Sequence, residues 1–125
     1  MSGSLATKLA RFDVAALAAM ALRLELNLTP KPGLVDLANN GSHCDMDHAM
    51  FLRSIAAIAP WFRVFEKAGF EHALKPASEL LRLLRPAGMA CEQAMFEATG
   101  GVNTHKGGIC SLGLICFAAG RLRGQ

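Results

Sequence analysis

The chain has 125 residues, 52% of them hydrophobic and 18% charged, which excludes an intrinsically disordered protein and bounds the fold at one domain with room for a real core. Its net charge of +3 comes from 13 Lys and Arg scattered among 10 acids, and aromatic residues make up only 6%, with no tyrosine. That excludes the concentrated basic face and stacking platform of a nucleic-acid binder and suits a phosphorylated small molecule.

Taken in chain order, Leu5 to Leu28 reads as the first helix, with Leu5, Leu9, Phe12, Ala16, Met20 and Leu24 at helical spacing. Its run "VAALAAMAL" follows Lys8 and Arg11 as in a signal peptide, but Asp13 interrupts the basic region and the helical pattern continues past the run. A core helix is the better reading. No apolar stretch is long enough to span a membrane. "LTPKPGLVD" ends this helix, since Pro30 and Pro32 force Thr29 and Lys31 into extended conformations. The loop "NNGSHCDMD" then leads into a second helix, from Asp45–Asp47 to about Ala68, which Pro60 should kink or split and Gly69 should stop.

A third segment, Pro76 to Leu84, is amphipathic through its leucines. A fourth starts at Pro86, reaches Ala98 and closes at Gly100. The last, from Gly107 or Gly108 to Gly120, is "GICSLGLICFAAG", apolar on every face, as befits the central helix of a bundle. No strand, repeat or low-complexity tract is found. The expected fold is all-α, a single helical bundle over 1–125 around an apolar C-terminal helix. Cys44, Cys91, Cys110 and Cys116 form no C-x-x-C pair and read as reduced, buried thiols of a cytoplasmic protein.

The polar residues with chemical potential concentrate in two loops, each feeding a helix N-terminus. In "TGGVNTHKGG" (99–108) the glycines let a ligand approach the backbone, Lys106 adds a full charge, and Asn103, Thr104 and His105 add directed hydrogen bonds. The stretch is no Walker loop, because His105 precedes Lys106 and Gly107 follows where Ser or Thr should stand. Two readings fit the spacing: a phosphate cradle, or an ordinary cap in which Asn103 or Thr104 starts one helix while Gly100 and Gly101 end the previous one. In the other loop, His43, Asp45 and Asp47 suit magnesium if the carboxylates converge. Equally, Ser42 and Asp45 have the spacing of a capping box, and acids in a first helical turn stabilise it. Lys31, held between two prolines, would meet an anion with little loss of entropy, or is a plain turn lysine.

Together "TPKPGLVD", "NNGSHCDMD" and "TGGVNTHKGGICSLGLICFAAGRL" resemble the triphosphoribosyl-dephospho-CoA synthase family, from about Leu24 to the C-terminus. The resemblance implies an all-helical transferase that takes ATP and 3′-dephospho-CoA, releases adenine and joins the triphosphoribosyl group to the ribose 2′-hydroxyl. The product would be the prosthetic-group precursor for the acyl-carrier subunit of citrate lyase or malonate decarboxylase. It makes Lys31, Asn103, Thr104, His105, Lys106 and Gly107 nucleotide-site candidates. It makes Asp45 and Asp47 magnesium carboxylates with His43 beside them, and Asp45, Asp47 and His105 candidate catalytic groups, a carboxylate serving at ribose C1 as adenine leaves. Members of the family are about twice this long. The expectation is therefore the N-terminal part of the family fold, or a short relative that works as a homo-oligomer or with a partner second-half chain. The alternative is a non-catalytic helical module that binds a nucleotide or a CoA-like ligand.

Overall fold

The computed structural model describes residues 12–28 and 47–125, and these contain four α-helices. They are α1 (Val14–Asn27), α2 (His48–Glu71), α3 (Leu80–Thr99) and α4 (Lys106–Arg123), with one 3-10 turn, Ala77–Glu79, before α3. No strand occurs among the described residues. Lys31, His43, Cys44 and Asp45 lie outside them, as do the "TPKPGLVD" turn and most of the "NNGSHCDMD" loop.

The helix α1 begins later than the periodicity suggests. Asp13, read as interrupting only a basic region, is its N-cap: the carboxylate accepts the Ala16 N–H at 3.1 Å and the Arg63 guanidinium at 2.8 Å. That guanidinium, helped by the Ala16 amide, holds the Asp13 carboxyl below its ordinary pKa. The buried face also differs from the expected one. Ala15, Ala18, Ala19, Leu22 and Leu26 face inward, whereas Ala16, Met20 and Leu24 are exposed. Three alanines on one stripe let α1 lie close on α2.

Pro60 neither splits nor ends α2. It sits on the solvent side with Ala56, whose carbonyl loses its amide partner to the ring but faces water instead. Pro86 is accommodated in the same way on the exposed side of α3, so the two segments expected over 76–98 are one helix after a 3-10 turn. Gly100, at φ 67°, closes α3 as anticipated, and the Gly101 N–H bonds back to the Phe96 carbonyl at 2.9 Å.

Gly69 and Gly120, expected as stops, lie inside α2 and α4 where the two helices cross. A Cβ on Gly69 would stand 1.9 Å from the Phe117 carbonyl oxygen, and one on Gly120 would stand 1.9 Å from that of Glu66. The crossing is thus backbone against backbone, and α4 continues past it to Arg123. Arg121 then donates to the His72 and Lys75 carbonyls, both at 2.8 Å, closing the C-terminal end of α2.

The helix α4 packs against all three others, and α2 shares the most extensive contacts with it. Between them lie the fully buried side chains Phe62, Phe65, Phe117, Ile55, Ile58, Met95, Cys91 and Cys116. Burial pushes the Cys91 and Cys116 thiols up to about 12, so both behave as small apolar groups. Cys110 departs from the expectation: it is exposed, on the open side of α4 with Ser111, Leu114 and Ile115. No helix among the described residues is long and apolar enough to cross a membrane.

Candidate functional site

The stretch Thr99–Lys106 reverses the chain between α3 and α4, and its own side chains hold it. Thr99 Oγ1 accepts the Val102 N–H at 3.1 Å and lies 2.7 Å from the Val102 carbonyl oxygen, closing the turn that Gly100 and Gly101 open. Asn103 Oδ1 accepts the Lys106 N–H at 3.1 Å, a side-chain cap on α4. The His105 N–H points back at the Met95 sulfur, 3.2 Å away. Of the first-turn amides, that leaves Gly107 and Gly108 as donors without a protein partner among the described residues, and Gly107 is exposed.

The predicted loop residues divide into two sets. Asn103, Lys106 and Gly107 face solvent, and Lys106 Nζ lies 3.7 Å from Glu92. His105 and, in part, Thr104 turn inward instead, onto a residue the sequence reading did not single out. Ser54 Oγ, fully buried on α2, lies 2.7 Å from His105 Nδ1 and 2.6 Å from Thr104 Oγ1. The Ser54 hydroxyl carries one proton and two lone pairs, so it donates to at most one of these partners and accepts from the other or from both. Phe51 closes the pocket edge-on to the imidazole, ring centroids 5.2 Å apart. Burial holds His105 below its ordinary pKa, opposed by the Glu25 carboxylate, so the ring is neutral at pH 7.

Ser54 did leave a trace in the sequence. It shares a helical stripe with Ile58, Phe62 and Phe65, the one hydroxyl in an apolar row. A polar group on a buried stripe needs a partner. Its partners, 50 and 51 residues away, could not be read from spacing.

Both readings of the 99–108 loop therefore hold for different atoms. Asn103 caps, Gly100 and Gly101 terminate, and Thr104 with His105 bolts the loop to α2. The remaining outward groups, the Lys106 ammonium and the exposed Gly107 amide, lie at a helix N-terminus, where an anion is favoured.

Asp47, the described member of the acidic pair, is the N-cap of α2 and accepts the Met50 N–H at 2.7 Å through Oδ1. Among the described residues no three His, Cys, Asp or Glu side chains cluster as a metal site. Asp47 keeps one carboxylate oxygen outside the cap. Capping and charge are separable by substitution. Asp47→Asn keeps a good cap and should leave the melting temperature unchanged, whereas Asp47→Ala should lose about 1 kcal/mol, read by thermal unfolding.

Residues 11–125 match the family described as ATP:dephospho-CoA triphosphoribosyl transferase. The chain is 60% identical over 113 residues, 90% of its length and 38% of the relative's, to a probable 2-(5''-triphosphoribosyl)-3'-dephosphocoenzyme-A synthase of Pectobacterium carotovorum. It is 57% identical over 122 residues, 98% of its length and 39% of the relative's, to a protein of the same description from Vibrio cholerae. A 2-(5''-triphosphoribosyl)-3'-dephosphocoenzyme-A synthase of Klebsiella pneumoniae is 55% identical over 102 residues, 82% of this chain and 34% of its own. The chain thus spans 34–39% of the length of these curated relatives, less than the half that the resemblance suggested. No solved structure matches it.

Proposed function

Because the chain belongs to the ATP:dephospho-CoA triphosphoribosyl transferase family, we propose that it serves the transfer of the triphosphoribosyl group of ATP to the 2′-hydroxyl of 3′-dephospho-CoA, with release of adenine. The observation that carries this reading is the division of labour in the 99–108 loop. Inward bonds to Ser54 fix the backbone, while Lys106, Asn103 and the exposed Gly107 amide face outward. A loop held in this way meets a triphosphate with little ordering left to do.

In the proposed reaction the acceptor oxygen bonds to ribose C1′ as the C1′–N9 bond breaks. Adenine leaves with the bonding pair, and the proton given up by the hydroxyl balances the one adenine gains. Lys106 and the Gly107 N–H bind phosphate oxygens and orient the sugar. His105, neutral and buried, positions the loop through Ser54. Asp47 would supply a carboxylate toward the positive charge at C1′ or toward magnesium on the triphosphate, the role the resemblance also gives to Asp45; Asp45, His43 and Lys31, the further candidates, lie outside the described residues. Both substrates are cytoplasmic metabolites, and the reading places the protein there. Exposed apolar side chains on α1 (Leu17, Met20, Leu24) and α4 (Leu114, Ile115) suit a homo-oligomer or a partner chain.

The test is adenine release, followed by chromatography, from the purified chain with ATP, magnesium and 3′-dephospho-CoA. Adenine is expected only when the acceptor is present. Lys106→Ala should reduce it roughly tenfold, the size of one lost charge-assisted bond. ATP binding without adenine formation would leave a binding module, or a part that needs further chain, in place of a self-sufficient transferase.

A further inference from the structure

Near the loop that joins α3 and α4, Lys106 faces Glu92 and the His105 N–H faces Met95. Beside it a cleft of about 470 Å³ opens between α3 and the start of α4, within the roughly 300–1,000 Å³ range of small-molecule sites. Its wall is apolar: Leu81, Leu84 and Met89 from α3, Ile109 from α4 and Phe65 behind them. The charges along it are Arg85, Lys106 and Glu92, two cations to one anion. From Glu92 to Leu81 the cleft follows three turns of α3, roughly 16 Å at 1.5 Å per residue. Lys106 belongs to both places, since it faces the cleft and also starts the helix whose exposed Gly107 amide lies at the proposed phosphate site.

We infer that this cleft holds the phosphopantetheine arm of the acceptor, its phosphate end at Lys106 and its methyl-bearing, amide-linked chain running along α3 past Arg85 toward Leu81. The assignment rests on the transfer reaction proposed above, which supplies a ligand of this chemistry. A flexible arm with an anionic end, an apolar branched middle and few charges matches a long apolar groove with a cation, Lys106, at its Glu92 end and a second, Arg85, two turns further along α3. A triphosphate would set its charges against a wall that is mostly apolar and carries Glu92. The same arrangement brings the acceptor's diphosphate to the lysine that faces ATP, so one cation spans the two substrates.

Two residues make the cleft open to experiment. Gly88 lines it, and a Cβ there meets nothing within 4 Å, so a large side chain can enter the groove without a clash at its first carbon. Cys110 also lines it and is exposed, whereas Cys91 and Cys116 are buried. Alkylation of Cys110 by iodoacetamide, followed by peptide mass spectrometry, reports occupancy. S-methyl dephospho-CoA and S-methyl phosphopantetheine are the ligands, so that they do not consume the reagent. Both should slow alkylation at Cys110 at least fivefold, and AMP should not. By calorimetry, Gly88→Phe should weaken dephospho-CoA binding at least tenfold and leave ATP binding unchanged, while Gly88→Ala should bind both ligands as the parent does.

Dephospho-CoA bound equally well by Gly88→Phe, with Cys110 unprotected, would overturn the cleft assignment and leave the transfer reaction standing. Binding of neither ATP nor dephospho-CoA by the parent chain would overturn the proposed activity, and the cleft assignment with it.

Discussion

Gly120→Ala should destabilise the bundle by about 3 kcal/mol or more, read as a fall in the urea midpoint followed by circular dichroism. The sign is opposite to the ordinary one, because alanine in a helix interior is better than glycine by about 0.5–1 kcal/mol. Here the added methyl would lie 1.9 Å from the Glu66 carbonyl oxygen and 2.9 Å from the Phe70 nitrogen, and neither is the end of a flexible side chain. Relief requires α2 and α4 to separate along the crossing that buries Phe62, Phe65 and Phe117. Gly69→Ala should behave alike, since its methyl would meet the Phe117 carbonyl at 1.9 Å. Gly88→Ala, with nothing within 4 Å of the new atom, should instead gain the ordinary 0.5–1 kcal/mol or so. A Gly120→Ala midpoint at or above the parent's would mean that the two backbones do not touch.

These glycines also show where the sequence stops being informative. Periodicity places helices over most of the described chain, and Gly100 is legible as a stop because a polar turn follows it. Gly69 and Gly120 carry the same letter with a different cause. Only the partner backbone distinguishes a close crossing from a helix end. Pro60 reads as a kink or split and Pro86 as a helix start for a similar reason. A proline's lost bond matters less where the freed carbonyl faces water, and which side of α2 or α3 faces water is a tertiary property. The misplaced stripe on α1 follows from alanine, which fits either face: burial of Ala15, Ala18 and Ala19 is set by how closely α2 approaches.

At the site the local half was readable and the distant half was not. Capping by Asn103, three residues before the amide it receives, is a short-range pattern. The inward turn of His105 depends on a hydroxyl 51 residues away, so a loop that reads as five outward polar groups presents three. Lys106 kept its outward role because a solvated ammonium needs no partner.

The Ser54–His105 contact sets the second large effect. Ser54→Ala leaves a buried imidazole nitrogen without its partner, and Thr104 loses the same oxygen, so a loss of about 1–3 kcal/mol is expected. The effect on pH dependence has a definite sign. Burial lowers the His105 pKa in the folded state below the value of about 6.5 in the unfolded chain. The unfolded state therefore binds the proton more readily. Stability from keeping His105 neutral is complete above pH 6.5 and is lost as pH falls through the folded value, at no more than about 1.4 kcal/mol per pH unit. Urea unfolding of the parent and of His105→Asn at pH 7.5 and 5.5 isolates this contribution, because every other group is common to both. The parent should lose more stability than His105→Asn over that interval. Equal losses would mean that the imidazole is as free to protonate in the folded protein as in the unfolded one, and hence that Ser54 does not hold the loop through a buried, neutral ring. Under the proposed function, Ser54→Ala should also weaken ATP binding, although Ser54 is fully buried, because Lys106 and Gly107 are aimed by the backbone that Ser54 fixes.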